Sequence, residues 1–223
     1  MATLTTLTDA IQLVIHDGSY TDITDRINDA VNNIAAGQRM PDGSISPPLN
    51  DLFVSASVST TTDAFTSLPA NYQREVFYVV NSRGDRVPPV SGGGYYSFML
   101  FLNNAYKKDL SQAGPLTDVC VKGRKLYYQG IPSASEDLTV SYYRKPVAMV
   151  DATDEVDGIP DHLQVRLIKH YVCKEIFGEG LEDGAESRKV GTTYHTNKFF
   201  EAMIALCDFN GEDAEPEFYA NDY

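Results

Sequence analysis

Positive charge is what this chain has least of. Lys and Arg number 18 against 31 Asp and Glu, giving a formal net charge of −13. A protein that grips DNA through its phosphates needs clustered Lys and Arg. The densest basic spots here are Lys122-Gly123-Arg124-Lys125, which has the composition of a turn, and Arg188-Lys189. So acidic a surface repels DNA, which excludes a gripping protein but not a wall that DNA slides past. Cysteine is nearly as scarce. Cys120, Cys173 and Cys207 are far apart and odd in number, so reduced thiols are expected and a disulfide framework is not. No apolar run approaches the ~18 residues of a membrane span. Met1-Ala2-Thr3-Leu4 has no basic stretch leading into an apolar one, so no signal peptide is expected and the chain reads as soluble and intracellular. Tryptophan is absent while tyrosine occurs 14 times, a richness that suits contact surfaces or the packing of a sheet.

The spacings that carry chemistry are also missing. Ser91-Gly92-Gly93-Gly94 lacks the Gly-Lys-Ser/Thr ending of a phosphate loop, and Gly178, Gly180 and Gly184 follow a helical pattern, not a strand. His162 and His170 lie about two turns apart on one helix, too far to share a metal unaided, and no His-x-x-x-His or Cys-x-x-Cys occurs. His16, His162, His170 and His195 are therefore expected to be solvated or capping residues. Asp151, Asp154, Glu155 and Asp157 lack the Asp-x-Asp-x-Asp-Gly spacing of a calcium loop. There is no Gly-x-Ser-x-Gly elbow, and no cysteine has a local nucleophile signature. No catalytic, cofactor or metal residues are expected, and an enzyme would need a site dispersed along the chain.

What is there is pattern. At 43% hydrophobic the chain can bury one core with a sizeable insert. Leu4, Leu7, Ile11 and Val14 recur at helical spacing, with Thr6 and Asp9 resembling a capping pair and Gly18 closing the helix. A second helix after Thr21 or Asp22 carries Ile23, Ile27, Ala30 or Val31, and Ile34, and ends at Gly37. The prolines between Pro41 and Pro48 forbid helix there. The period then changes to two: Leu52, Val54, Ala56 and Val58 mark a half-buried strand, and Glu75 to Val80 favours another, ending in a turn over Asn81–Asp85. Val119–Val121 and Leu126–Gln129 form a hairpin around Lys122–Lys125, and Leu138, Val140 and Tyr142 alternate again. Tyr95 to Leu102 suits either a buried strand or a short helix. Asp151 to Asp157 is expected to be a linker. Pro160 and Asp161 then open a helix striped by Leu163, Leu167, Ile168, Tyr171, Val172 and Ile176, which Gly178 and Gly180 end. Leu181 to Gly191 is polar, and the last helix is expected from about Thr193 to Asp208, with Phe199, Phe200, Met203, Ile204 and Cys207 inward. Residues 209–223 mix Glu212, Asp213, Glu215 and Glu217 with Phe209, Phe218, Tyr219 and Tyr223. Such a segment is either a disordered acidic end or, because its aromatic rings are costly to leave in water, an anchor for a partner.

In this order the segments resemble the head–tail connector (adaptor, or head-completion) proteins of tailed double-stranded DNA bacteriophages. The resemblance is carried by Asp22-Ile23-Thr24-Asp25-Arg26-Ile27-Asn28-Asp29-Ala30 running to Ala36-Gly37, and by Ser67-Leu68-Pro69-Ala70-Asn71-Tyr72. Tyr142-Tyr143-Arg144-Lys145-Pro146 and Gly158-Ile159-Pro160-Asp161-His162-Leu163 through Lys169-His170-Tyr171 continue it. Each string is common; their order around a β-rich insert carries the specificity. The resemblance implies an α+β fold: a four-helix bundle formed by the N- and C-terminal helices, with a β-rich insert between them. The corresponding segments are residues 1–50, the insert 51–150, the helices 151–208, and the tail 209–223. It further implies a non-enzymatic virion component in the neck between capsid and tail, made in the host bacterial cytoplasm. Copies would form a ring, usually dodecameric, joining the portal protein to tail or nozzle proteins or tail fibres, with DNA passing unbound and no membrane partner. Phe209, Phe218, Tyr219 and Tyr223 would dock on the portal. Another virion protein, such as a tail-completion or fibre-attachment subunit, is the alternative; those tend to be mostly β, so the four helices count against it.

Overall fold

The local patterns resolve into a mixed α and β fold in a computed structural model, which describes residues 1–16, 20–88, 95–104, 112–179 and 186–212. The chain divides into two compact units, Met1–Leu52 with Pro146–Tyr223, and Phe53–Lys145.

The first unit holds helices α1 (Leu4–Ile15), α2 (Ile23–Ala36), α4 (Asp161–Glu179) and α5 (Glu186–Glu212). They share one core that includes Leu7, Ile11, Ile27, Ile34, Leu167, Val172, Phe199 and Met203. The residue that caps α1 is Thr3, not Thr6: its hydroxyl accepts from the Thr6 N–H at 3.2 Å. At the other end His16 takes the left-handed conformation (φ 52°) and donates its N–H to the Gln12 carbonyl; Gly18 lies outside the described residues. Gly37 does end α2, at φ 101°, with its N–H on the Ile34 carbonyl. The α4 helix lies against α1, α2 and α5, so it is buried on more than one side, and Gln164 and His170 are enclosed along with its apolar stripe.

Two expectations about this unit are corrected. The acidic stretch 151–157 is no free linker. Leu4 N–H donates to the Asp154 carbonyl (2.9 Å) and Thr5 N–H to Ala152 (3.1 Å), satisfying two donors that the first turn of α1 leaves open, and Val156 N–H returns a bond to the Ala2 carbonyl (3.2 Å). The Asp154 carboxylate ties the stretch together by accepting from the N–H groups of Val150 (2.7 Å) and Asp151 (2.8 Å). Those two donors hold its carboxyl below the usual carboxylate range. The last helix is also longer than its apolar pattern suggested. It begins at Glu186, runs through Gly191, and ends at Glu212, so Phe209 belongs to its final turns. Gly178 likewise lies inside α4, and Gly180 outside the described residues.

The second unit packs two antiparallel sheets on one core. Strands β1 (Phe53–Ser59), β6 (Asp137–Arg144) and β3 (Tyr72–Val80) form one sheet in that order; β2 (Phe65–Ser67), β5 (Lys125–Tyr128) and β4 (Val119–Lys122) form the other. Alternation turns Leu138, Val140 and Tyr142 of β6 and Leu126 and Tyr128 of β5 into the shared core. The turn joining β4 to β5 needs a positive φ, which Gly123 supplies at 63°. Helix α3 (Tyr95–Asn104) settles the segment whose pattern suited either state. Phe98, Phe101 and Leu102, at helical spacing, pack on Cys120 and Tyr127 of the second sheet.

Candidate functional site

The tail expected to dock begins where α5 ends. Phe209 is 40% exposed, with its ring edge-on to His162 at 5.5 Å. Beside it Asn210 is buried, and its amide donates to the Pro48 carbonyl at 3.1 Å. The two residues border a cleft of about 520 Å³ lined also by Asn50, Asp51, Asp157 and Asp161. Phe218, Tyr219 and Tyr223 lie outside the described residues.

A second concavity, between α2 and α4, gathers carboxylates. Asp22, Asp25, Asp29, Glu175 and Glu179 line it with Arg26, and Lys174 pairs with Glu175 at 2.8 Å. The Arg26 guanidinium donates to both oxygens of Glu179 (2.7 and 3.0 Å) and to Asp22 (2.7 Å). The Glu179 bonds, with help from Asp22, push its pKa up. Two cations, Arg26 and Lys174, against five carboxylates leave the groove negative.

Sequence spacing misses a buried pairing of titratable groups. His170 of α4 and His195 of α5 are 25 positions apart, yet their Nδ1 atoms lie 2.8 Å from each other. They are 8% and 5% exposed, not solvated as expected, and Phe177 stacks on His195 at 5.5 Å. Two neutral imidazoles meet this geometry, one donating its Nδ1–H and the other accepting. Burial pushes both pKa values down; for His170 the facing imidazole, Lys169, Arg166 and Lys198 push further the same way. No signal in the sequence joins these residues, because only helix packing makes them neighbours.

The cysteine thiols are not activated. The three cysteines are free, and burial raises all of their thiols, Cys173 to about 12, the reverse of an activated nucleophile. Among the described residues no group of three or more His, Cys, Asp or Glu could hold a metal ion, and no helix is long and apolar enough to cross a membrane. The basic turn after β4 is occupied within its own unit. Arg124 donates to the Ala70 carbonyl at 2.6 Å, Lys122 sits 4.2 Å over the Phe98 ring, and Lys125 sits 3.9 Å over Phe65.

What these features leave is a set of surfaces: a negative groove, an exposed phenylalanine at the end of a long helix, and an aromatic sheet face bearing Phe53 and Phe77. Comparison with protein families finds one whose profile matches residues 2–218, described as SU10 adaptor protein. No curated protein matches the chain.

Proposed function

The chain belongs to the SU10 adaptor protein family of phage structural proteins, and on that premise we propose that it forms the ring joining the portal to the tail of a virion. The observation that carries this reading is the match across residues 2–218, which takes in both units and the beginning of the tail. Copies assemble into a dodecameric ring in the neck, without catalysis. The four helices of the first unit act as a bundle and form the ring's body, while the unit Phe53–Lys145 faces tail or nozzle proteins and tail fibres. Phe209, Phe218, Tyr219 and Tyr223 dock on the portal; the exposed position of Phe209 at the end of α5 suits this role. The net charge of −13 supports a channel wall that DNA passes without sticking.

Electron microscopy of the protein mixed with its portal tests the assembly. A closed twelvefold ring is the expected result, and the absence of any closed ring overturns the reading. The tail is tested by removing residues after Glu212, a cut that spares Asn210 and its bond to Pro48. Portal binding should weaken by about tenfold or more while the circular dichroism stays unchanged. Unaltered binding would remove Phe218, Tyr219 and Tyr223 from the interface.

A further inference from the structure

The two edges of the β1–β6–β3 sheet are built differently. Along β3 the register against β6 shifts three times between Tyr72 and Tyr78. Glu75 has φ 50° there and pairs with Arg74 at 2.9 Å. Bulges and charges are the devices by which sheets close an edge to further pairing. The opposite edge, β1, has neither. Its seven residues hold an unbroken register from Phe53↔Tyr143 to Ser59↔Asp137, and Phe-Val-Ser-Ala-Ser-Val-Ser contains no charge, proline or glycine. In an antiparallel pair, alternate residues of a strand direct both N–H and C=O away from the partner. Among the described residues no strand meets that outward set on β1.

The side chains repeat the asymmetry. Val54, Ala56 and Val58 face the core but are only half-buried, whereas Leu138, Val140 and Tyr142 on the central strand are at most 1% exposed. On the outer face Phe53 is 43% exposed and Phe77 60%, their rings 6.3 Å apart, and Ser55, Ser57 and Ser59 continue the strip along β1. In a chain of net charge −13 this strip is neutral, so another acidic polypeptide can approach it without repulsion.

We infer that the β1 edge receives a strand from a different polypeptide: an extended, uncharged segment with small or β-branched side chains at alternate positions. Its main chain bonds the open N–H and C=O groups, and its inward side chains complete the cover over Val54, Ala56 and Val58. A second copy of this chain fits the edge less well. Seven residues make a line of contact about 23 Å long, whereas two folded proteins need about 1,200–2,000 Å² of buried surface. Among the described residues, the other strand edges a copy offers are the bulged, charged β3, the three-residue β2 and the four-residue β4. The inference does not depend on the ring reading.

The test uses the full chain and, as probe, a synthetic peptide of the β1 sequence Phe53–Ser59, uncharged and with Val54, Ala56 and Val58 at alternate positions. Hydrogen exchange is read amide by amide. The peptide should slow exchange at alternate amides of Phe53–Ser59 by about tenfold or more, and nowhere on β3. Ser57→Lys, a charge placed at an exposed edge position, should abolish the protection. Ser57→Thr, neutral and β-favouring, should keep it, as should Leu13→Lys, which adds the same charge on an exposed position of α1. Equal protection by a peptide of the same residues with the alternation broken overturns the inference, and so does protection centred on β3. Protection of β1 that appears without peptide and grows with protein concentration assigns the edge to a second copy and overturns it too.

Discussion

At the residue scale, two glycines in the helical unit carry opposite expectations. Gly158 sits at φ 78°, and a Cβ built on it would lie 2.6 Å from the side chain of Leu52. Leu52 is itself buried at 1% exposure, so it has little room to swing aside. Gly158→Ala should lower stability by roughly 1–3 kcal/mol. Gly178 lies within α4 with nothing near its missing Cβ, and Gly178→Ala should raise stability by about 0.5–1 kcal/mol. Denaturant midpoints of the two variants check both signs. The His170–His195 pair makes a pH prediction. Both folded-state pKa values lie below the unfolded value, so the unfolded chain binds more protons as acid is added. The stability of the neutral pair is complete above about pH 6.5, the unfolded histidine value, and is lost as pH falls below it. Thermal melts from pH 7 to pH 4 should show this decline, and the double variant His170→Gln, His195→Gln should flatten it. An equally steep decline in the double variant would assign the acid sensitivity to the carboxylates.

At the element scale, segments without regular structure hold the helical unit together. Asn28 on α2 donates to the Met149 carbonyl and accepts from the Met149 N–H, both at 2.9 Å. Met149 is 2% exposed, so water cannot replace these bonds easily. Asn28→Ala leaves a buried donor and acceptor unpaired, and should cost about 1–3 kcal/mol in chemical denaturation. A cost near zero would mean that the segment rearranges to bond elsewhere. The neighbouring stretch 151–156 caps α1 through its carbonyls, so helix entry and acidic loop are one structural element. Their composition conceals this, because a run of aspartates and a linker look alike when only side-chain types are counted.

At the scale of the whole molecule, charge decides what the protein can touch. With a net charge of −13 and its basic turn engaged internally, the protein should show no saturable binding to duplex DNA in a mobility-shift titration, even at low salt. Saturable binding would count against a channel wall. The negative groove between α2 and α4 adds to the repulsion of nucleic acid.

The sequence by itself determined the elements whose burial follows a simple period. The stripe Leu7, Ile11 announced α1, the run Ile23 to Ile34 announced α2, and the alternation through Leu138, Val140 and Tyr142 announced β6, because each is buried on one face of one regular element. The ordered strings around the insert also carried the family, which the match over residues 2–218 shows. Of the residues expected to dock, only Phe209 falls within the described residues, as part of a helix longer than its apolar stripe suggested. Tertiary structure alone decided the rest. It made α3 a helix, since a short apolar run has no period until a sheet face lies against it. It turned the acidic stretch into the cap of α1, and brought His170 against His195 across 25 positions. Among the described residues it also left β1 without a second neighbour while bulging β3, because an edge is a property of strand order and not of any strand read alone.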